Sequence, residues 1–194
     1  MTYTIARYPV HLIDVVTVGN GGRVTIRPSL PQDGELQREF FHSLSAEGRH
    51  HRFMSALNEL PEAVTRQFNN IDYRSHLALL AEVFEDSREI MIGEARYVIE
   101  QGDPASCEFA IAVADDWQCK GIGRALLARL EREAAASGIR RMFADTLYDN
   151  KPMLGLAAQS GYAMKMNPGD ARLVRLEKKL SVSTASPTIH PLAA

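Results

Sequence analysis

This chain has few cysteines, no long apolar run and little excess of either positive or negative charge. With 2 cysteines in 194 residues, the chain is not a disulfide-built secreted domain, and neither cysteine has metal-ligand spacing to the other. No apolar run approaches the roughly 18 residues of a membrane span, and the N-terminus lacks a cleavable signal pattern. A formal charge of -2 excludes a broad nucleic-acid surface. We therefore expect a soluble cytoplasmic protein that binds neither nucleic acid nor membrane.

The first half of the chain predicts a hairpin, helices and then antiparallel strands. IDVVTV and RVTIRP flank GNGG as a hairpin. Helices are expected from Asp33, as N-cap, to about Leu44, around HHRFMSAL, and from Pro61 to about Asn70. HLALLAEVF, EIMIGEARYVI and CEFAIAVA then have the composition of strands.

The second half alternates helix and strand. A helix over about 121–137, the strand RMFADTLY, a helix from Lys151 to about Ser160, and the strands YAMKM and RLVRLEKKL follow one another. The fold class is therefore α/β, with a mixed, mostly antiparallel sheet and helices on both faces. We expect one domain over residues 1–180 and a flexible tail over 181–194, because SVSTASPTIHPLAA is small, polar and contains proline.

A glycine-containing loop, Gln118 to Gly123, joins the apolar run FAIAV to the helical run RALLARLEREAAASG. Its glycines permit a tight turn, and the next helix directs unpaired N–H groups and its positive dipole end at the loop. A P-loop would need Gly-Lys-Ser/Thr, and a dinucleotide fingerprint a third glycine where Leu126 stands. The remaining pattern, Q-x-x-G-x-G, indicates a site for a ligand with several phosphate oxygens.

The strand before this loop has two unlike faces. Period two places Phe109, Ile111 and Val113 on one face, as bulky core residues. Glu108 lies on the other face with two alanines, which leave space beside its carboxylate. This second face is a candidate lining for a site.

The strand, the loop and the following Asn150 together resemble the GNAT superfamily of N-acetyltransferases, and the resemblance implies a GNAT-like acyl-CoA N-acyltransferase fold. It implies acetyl-coenzyme A as co-substrate, with no metal. The cofactor-binding positions that it implies are Ile111, Ala112 and Val113 for the pantetheine arm, Gln118, Cys119, Lys120, Gly121, Ile122, Gly123 and Arg124 for the phosphates, and Asn150 beside the pantetheine or pyrophosphate. Asn150 is equally suited to a plain helix N-cap, and both roles are compatible.

The same resemblance places Glu108 at the position of a general base. A structural or substrate-orienting carboxylate is the alternative. Asp145 on the next predicted strand is a reserve candidate, although a solvated aspartate at a strand end would look the same. Cys119 lies beside the expected thioester but is interpreted as loop filler, so we expect direct attack by the amine in a ternary complex.

One position departs from the family pattern. Seven residues after Asn150, many GNAT enzymes have a tyrosine that protonates the departing thiolate, and this chain has Ala157. Tyr148 and Tyr162 are near in sequence, but tyrosines in such places are more often packing residues. The sequence therefore names no general acid.

A closer resemblance, over residues 8 to 180, is to the catalytic module of bacterial protein-lysine acetyltransferases. It rests on RYPVHLIDVVTV, RVTIRPSLPQD, SLSAEGRHHRF and CEFAIAVADDWQCKGIG. It implies a primary amine acceptor, with a protein lysine favoured over a small amine such as a polyamine, amino acid or antibiotic. A non-catalytic acetyl-coenzyme A sensor is a further alternative, and an exposed C-terminal strand edge allows a homodimer.

The RHHRF segment is the second feature of that resemblance. Arg49, His50, His51 and Arg52 would border the acceptor cleft, or would equally well solvate a helix. Adjacent histidines point in different directions from a helix, so they make a poor metal pair.

Overall fold

One mixed sheet of eight strands organises the part of the chain that the computed structural model describes, residues 8–19, 21–167 and 169–181. The strands are β1 (Asp14–Val18), β2 (Gly22–Pro28), β3 (His76–Glu85), β4 (Arg88–Glu100), β5 (Asp103–Val113), β6 (Arg141–Leu147), β7 (Ala163–Met166) and β8 (Leu173–Lys179). The helices are α1 (Gly34–Ser43), α2 (Ala46–Phe53), α3 (Glu62–Asn69), α4 (Ile122–Ala136) and α5 (Lys151–Gln159). Short 3-10 turns span Val10–Leu12 and Asp115–Trp117.

The strand order is β1-β2-β3-β4-β5-β6-β8-β7. Every neighbouring pair is antiparallel except β5 and β6, which are parallel. That parallel pair requires a crossover, and α4 supplies it. The predicted mixed, mostly antiparallel sheet is confirmed. The single-domain boundary stays a prediction, and residues 182–194 of the predicted tail lie outside the described residues.

The central strands are buried on both faces, which is why their sequences are almost continuously apolar. Leu77 and Leu79 of β3 join the larger core beneath α4, whereas Leu80 joins a smaller core with Phe40 and Leu44 at α1. Helix α4 turns one apolar face to the sheet through residues at helical spacing, Leu126, Leu127, Leu130 and Ala134, all with 0% exposure. Helices therefore cover both faces, as expected.

Two local expectations are corrected by the structure. The second helix starts earlier than HHRFMSAL, because Ser45 caps it by accepting a hydrogen bond from the Gly48 N–H at 3.0 Å. It ends at Phe53, since Met54 is left-handed with φ 52°. Asp33 occupies the N-cap position of α1 but makes no capping bond, because its carboxylate is paired with Arg27 at 2.7 Å.

Strand β5 also begins before the predicted CEFAIAVA, at Asp103. Asp103 is in register with Glu100 at the end of β4 and Ser106 with Arg141 at the start of β6, so tertiary pairing extends the strand beyond its apolar part. Within the described residues, no helix has the length and apolar character needed to cross a membrane.

Candidate active site

The two parallel strands β5 and β6 pair over only three residues and then part. Ser106, Cys107 and Glu108 are in register with Arg141, Met142 and Phe143. Both strands continue past that point, β5 to Val113 and β6 to Leu147, without pairing with each other. A wedge-shaped gap therefore opens in the middle of the sheet, with Glu108 where it begins.

Beyond Glu108, strand β5 has no strand partner on the edge that faces this gap. The Ala114 N–H donates to the Ile92 carbonyl on the β4 side, while the Val113 carbonyl accepts from Gln118 Nε2 at 3.2 Å on the other side. Backbone groups alternate between the two edges of a strand. The backbone N–H and C=O groups of Ile111 and Val113 therefore face the gap, and those of Ala112 face β4. An extended ligand can hydrogen-bond to this edge like an added strand.

The glycine-containing loop closes the far end of the gap. Cys119 and Gly121 both have positive φ, 58° and 89°, which turns the chain sharply into α4. Gly121 is the N-cap residue, and no side chain caps the helix, so the first N–H groups of α4 point outward. The Ile122 side chain is buried with 1% exposure, so only its backbone N–H is available to a ligand at the loop. This end suits an anion.

Close packing leaves little room around Gly123 at the start of α4. A Cβ atom on Gly123 would lie 3.4 Å from Leu156 Cδ2 of α5 and 3.8 Å from Val113 Cγ2. A bulky residue here would therefore push α4 away from the gap.

Two cations flank the loop. The Lys120 ammonium donates to the Asp116 carbonyl at 2.7 Å and lies 4.7 Å from the centre of the Trp117 ring. Arg124 is exposed on the first turn of α4. Together with the helix dipole, these charges make this end of the gap electropositive.

Glu108 stands at the start of the gap, on the face of β5 that also carries Ala110 and Ala112. Its side chain is accessible to solvent and has no hydrogen-bond partner among the described residues. Partial burial by the surrounding protein raises the pKa of its carboxyl, and the negative charge of Asp145 raises it further. Arg175 and Arg52 oppose this effect. The carboxylate is thus unpaired among the described residues, and its affinity for a proton is higher than that of an ordinary glutamate.

Asp145, the reserve candidate, is engaged. Arg175 on β8 donates two hydrogen bonds to it, at 2.6 and 2.7 Å. Burial alone would raise its pKa, but hydrogen bonds from Arg175 and Asn167 outweigh burial and lower it. A carboxylate held in this way is a weaker proton acceptor than Glu108.

Asn150 lies at the other wall of the gap, between β6 and α5. Its Oδ1 accepts from the Met153 N–H at 3.2 Å and its Nδ2 donates to Thr146 Oγ1 at 3.0 Å. The N-cap role is therefore present in the structure. One N–H of the amide has no partner in these two bonds, and the side chain is buried at 8% exposure.

Helix α2 lies over the gap on the Glu108 face, packing against both β5 and β6. Its N-terminus is tied to the β5 side, because the Ser45 N–H and Oγ–H both donate to Asp115 at 2.9 and 2.8 Å. Near its other end, His51 Nε2 lies 3.7 Å from Asp149 Oδ1, just beyond β6. The RHHRF segment therefore borders this gap.

The comparison with known proteins identifies this architecture. Residues 38–162 match the family model "Acetyltransferase (GNAT) family". The chain belongs to the GNAT family. An acetyltransferase of Pseudomonas aeruginosa is 33% identical over 162 residues, 82% of this chain and 86% of the relative. The acetyltransferase Pat of Mycolicibacterium smegmatis is 31% identical over 138 residues, 71% of this chain but only 40% of Pat.

Solved structures agree with this assignment. The GNAT domain of S. lividans PAT superimposes with a TM-score of 0.81 at 29% identity, covering 90% of this chain and 100% of that domain. The yncA protein of Salmonella typhimurium, solved with its cofactor acetyl-coenzyme A, has a TM-score of 0.64 at 20% identity over 86% of this chain and 99% of that protein. This second likeness shows the fold alone. The chain is thus a GNAT acetyltransferase, and its fold is one that binds acetyl-coenzyme A.

The tyrosines near the gap of this GNAT protein differ in accessibility. Tyr162 is buried against Phe109, its hydroxyl donates to Met142 Sδ at 3.8 Å, and burial raises its pKa far above the usual range. Tyr148 is 65% exposed. Ala157, at the usual tyrosine position, is fully buried in the core. Tyr162 is therefore a packing residue, as expected, whereas Tyr148 is not buried in the core and departs from that expectation.

The sequence reasoning missed a buried charge cluster on the Glu108 face of the GNAT sheet. Glu94 on β4 accepts hydrogen bonds from Arg96 Nε at 2.8 Å and from Arg52 of α2 at 3.3 Å. The Arg96 guanidinium lies 3.4 Å from the centre of the Phe68 ring. The available signal was the Glu-x-Arg pattern inside the otherwise apolar strand EIMIGEARYVI, which placed two charges on one buried face but identified no partner.

Proposed function

We propose that this acetyltransferase moves the acetyl group from acetyl-coenzyme A to the side-chain amine of a protein lysine, by direct attack in a ternary complex. The observation that carries the proposal is the position of Glu108. It is a free, solvent-accessible carboxylate at the point where β5 and β6 part.

The proposed cofactor site follows the gap from Glu108 to the start of α4. The free edge of β5, at Ile111 and Val113 with the Ala112 methyl beside them, would hold the pantetheine arm. Asn150 would approach that arm from the β6 side. The pyrophosphate would meet the loop residues at the helix N-terminus, namely Gln118, Cys119, Lys120, Gly121, Ile122, Gly123 and Arg124.

Glu108 is proposed as the general base. A lysine amine with a pKa near 10.4 is almost entirely protonated at pH 7, and the neutral form costs about 4.6 kcal/mol. Glu108 offsets this cost by accepting the amine proton, directly or through water, as the nitrogen approaches the thioester carbonyl. A C–N bond forms, the C–S bond breaks, coenzyme A leaves as the thiolate, and the nitrogen releases its second proton to solvent as the amide forms. The N–H groups of the free β5 edge steady the oxyanion that develops on the carbonyl.

A covalent cysteine intermediate is not part of the proposal. Cys107 is buried, and burial raises its pKa to about 12, so it stays a thiol at neutral pH. Cys119 is exposed in the phosphate loop, at the opposite end of the gap from Glu108. We expect Cys119→Ser to retain full activity. Loss of turnover with unchanged acetyl-coenzyme A binding would contradict direct attack.

The choice of a protein lysine as acceptor rests on the openness of the site. Glu108 is accessible at the surface of the described structure, and the lysine side chain is long enough to reach it from a folded protein. The resemblance to bacterial protein-lysine acetyltransferases favours the same acceptor. A cytoplasmic location is the setting that we propose for such targets.

The test measures thioester consumption with acetyl-coenzyme A, using a panel of small amines in parallel with a mixture of cytosolic proteins. We expect protein labelling on lysine that is lost in Glu108→Gln, while both proteins bind acetyl-coenzyme A. Turnover of small amines alone would overturn the protein-lysine acceptor. Binding without turnover on either panel would indicate a sensor.

A homodimer remains a prediction, and the outer strand β7 is the edge along which two copies would pair. β7 is at one edge of the described sheet, and all four of its side chains are exposed, including Met166 at 74%. Light scattering after size exclusion measures the molar mass of the wild-type protein and of Met166→Glu. If two copies pair along this edge, the mass of the variant should be half that of the wild-type protein. A monomeric wild-type protein would contradict the prediction.

A further inference from the structure

We propose that Arg52 is a positioning residue that holds Glu108 in its ionised form, from a buried cluster with one excess positive charge. The inference rests on the proposed role of Glu108 as base for its consequence in turnover. The effect of Arg52 on the ionisation of Glu108 does not depend on that role, because it can be measured in the protein without substrates.

The cluster lies beside Glu108 on the same face of the sheet. In the β4–β5 register, Glu94 is opposite Ala112 and Arg96 is opposite Ala110, two residues along from Glu108. Alternation puts all of these side chains on one face. Ala110, the next β5 residue on this face after Glu108, carries only a methyl group, and α2, which carries Arg52, packs against β5.

The charged groups around Glu108 come from four elements: Arg52 on α2, Glu100 on β4, Asp145 on β6 and Arg175 on β8. Asp145 and Arg175 neutralise each other through two short hydrogen bonds. Glu100 likewise accepts a hydrogen bond from Arg141 on β6 at 2.9 Å. Asp145 and Arg175 therefore form a pair without net charge, whereas Glu100 shares Arg141 with Asp103, whose Oδ2 lies 3.9 Å from that guanidinium.

Arg52 differs from Arg175, the other cation among these neighbours, because its carboxylate partner is shared with a second arginine. Glu94 takes two hydrogen bonds from Arg96 and a single, longer one from Arg52. Two guanidinium groups and one carboxylate leave one positive charge over. The Arg52 and Glu94 side chains are only 11% and 4% exposed, so water screens this charge weakly.

Packing holds Arg52 in place. Its guanidinium lies 5.0 Å from the centre of the Phe53 ring and 5.6 Å from that of Phe68. Glu94 anchors it from β4, and α2 itself is fixed at Ser45. Because Arg52 is held in this way, its positive charge stays near Glu108. A nearby positive charge favours the ionised form of a carboxyl group.

The experiment compares Arg52→Gln with Arg52→Lys, which keeps the charge. Arg52→Gln should fold, because Glu94 remains paired with Arg96. Two readouts apply: titration of the Glu108 side-chain carboxyl by carbon NMR, and the acid limb of kcat/KM against pH. We expect both midpoints to rise by about half to one pH unit in Arg52→Gln. Arg52→Lys should stay near the wild-type midpoints.

Arg66→Gln is the matched control, since it removes an exposed arginine from α3, in the same helical layer but away from Glu108. Its midpoints should equal those of the wild-type protein. An unmoved NMR titration of Glu108 in Arg52→Gln would overturn the inference. A moved titration with full turnover in Glu108→Gln would leave Arg52 acting on Glu108 but remove Glu108 as base, so the two failures are distinguishable.

Discussion

Glu94 and Glu108 lie on the same face of neighbouring strands, yet their surroundings are opposite. Glu94 is 3% exposed and bonded to two arginines, which outweigh burial and lower its pKa. Glu108 is accessible and has no bonded partner among the described residues, and burial raises its pKa. The difference shows how the fold distributes carboxylates: an unpaired one is available for proton transfer, whereas a paired one holds elements together.

Replacing Glu108 by Gln tests the functional side of this comparison and should have the largest effect. We expect turnover to fall by roughly 100-fold to 10,000-fold, the usual contribution of a general base. The folded-state pKa of Glu108 is raised, so its ionisation opposes folding and the variant should be at least as stable as the wild-type protein. Steady-state kinetics and urea unfolding measure the two effects. Unchanged turnover would remove Glu108 from the role of base.

Replacing Glu94 by Gln tests the structural side. Arg52 and Arg96 would lose their shared carboxylate inside the protein, and we expect a loss of about 3–5 kcal/mol in unfolding free energy. Urea unfolding at pH 7, compared with Glu108→Gln, measures the contrast. A Glu94 variant as stable as the Glu108 variant would break the comparison, because both carboxylates would then be dispensable for folding.

A smaller, pH-dependent effect is expected from His76, which contacts the same cluster. Its Nδ1 bonds to the Asn70 carbonyl at 3.0 Å and its Nε2 lies 3.3 Å from an Arg96 nitrogen. The ring therefore donates through Nδ1, accepts from Arg96 and is neutral. Burial, with the charge of Arg96, lowers its pKa.

The sign of this effect follows from proton binding. Below about pH 6.5 the unfolded chain binds a proton at this histidine and the folded protein does not, so stability falls by up to about 1.4 kcal/mol per pH unit. We expect urea unfolding to show this loss between pH 7 and 5.5 and to show less of it in His76→Gln. His42→Gln, an exposed histidine on α1, is the control. Equal pH dependence in His76→Gln and the wild-type protein would show that His76 does not titrate on unfolding.

The smallest effect is expected from Asp145→Asn. Asp145 is paired with Arg175, whose side chain is 31% exposed, so removing the charge should cost about 0.2–1 kcal/mol in stability. Turnover should change far less than in Glu108→Gln. A loss of turnover equal to that of Glu108→Gln would show that the paired carboxylate is needed for turnover as much as the unpaired one, and would break the comparison.

Much of the fold could be predicted because its patterns are local. The apolar run HLALLAEVF, the helix over about 121–137 and the hairpin around GNGG all depend on residues close together in the chain, and the corresponding elements are present. The start of α2 was misplaced because its cap, Ser45, lies before the segment that looked helical. The bounds of β5 were misplaced because pairing with β4 and β6 extends it into polar residues.

The sequence by itself determined the glycine-containing loop before α4, the alanine face around Glu108 and the alternation of helix and strand in the second half, since each depends on residues close together in the chain. Only the tertiary structure decided where β5 and β6 part and which carboxylates have partners. Arg52 and Glu94 are 42 positions apart, and Asp145 and Arg175 are 30 apart. Whether a charge is free or paired depends on such distant contacts, and therefore on the folded chain.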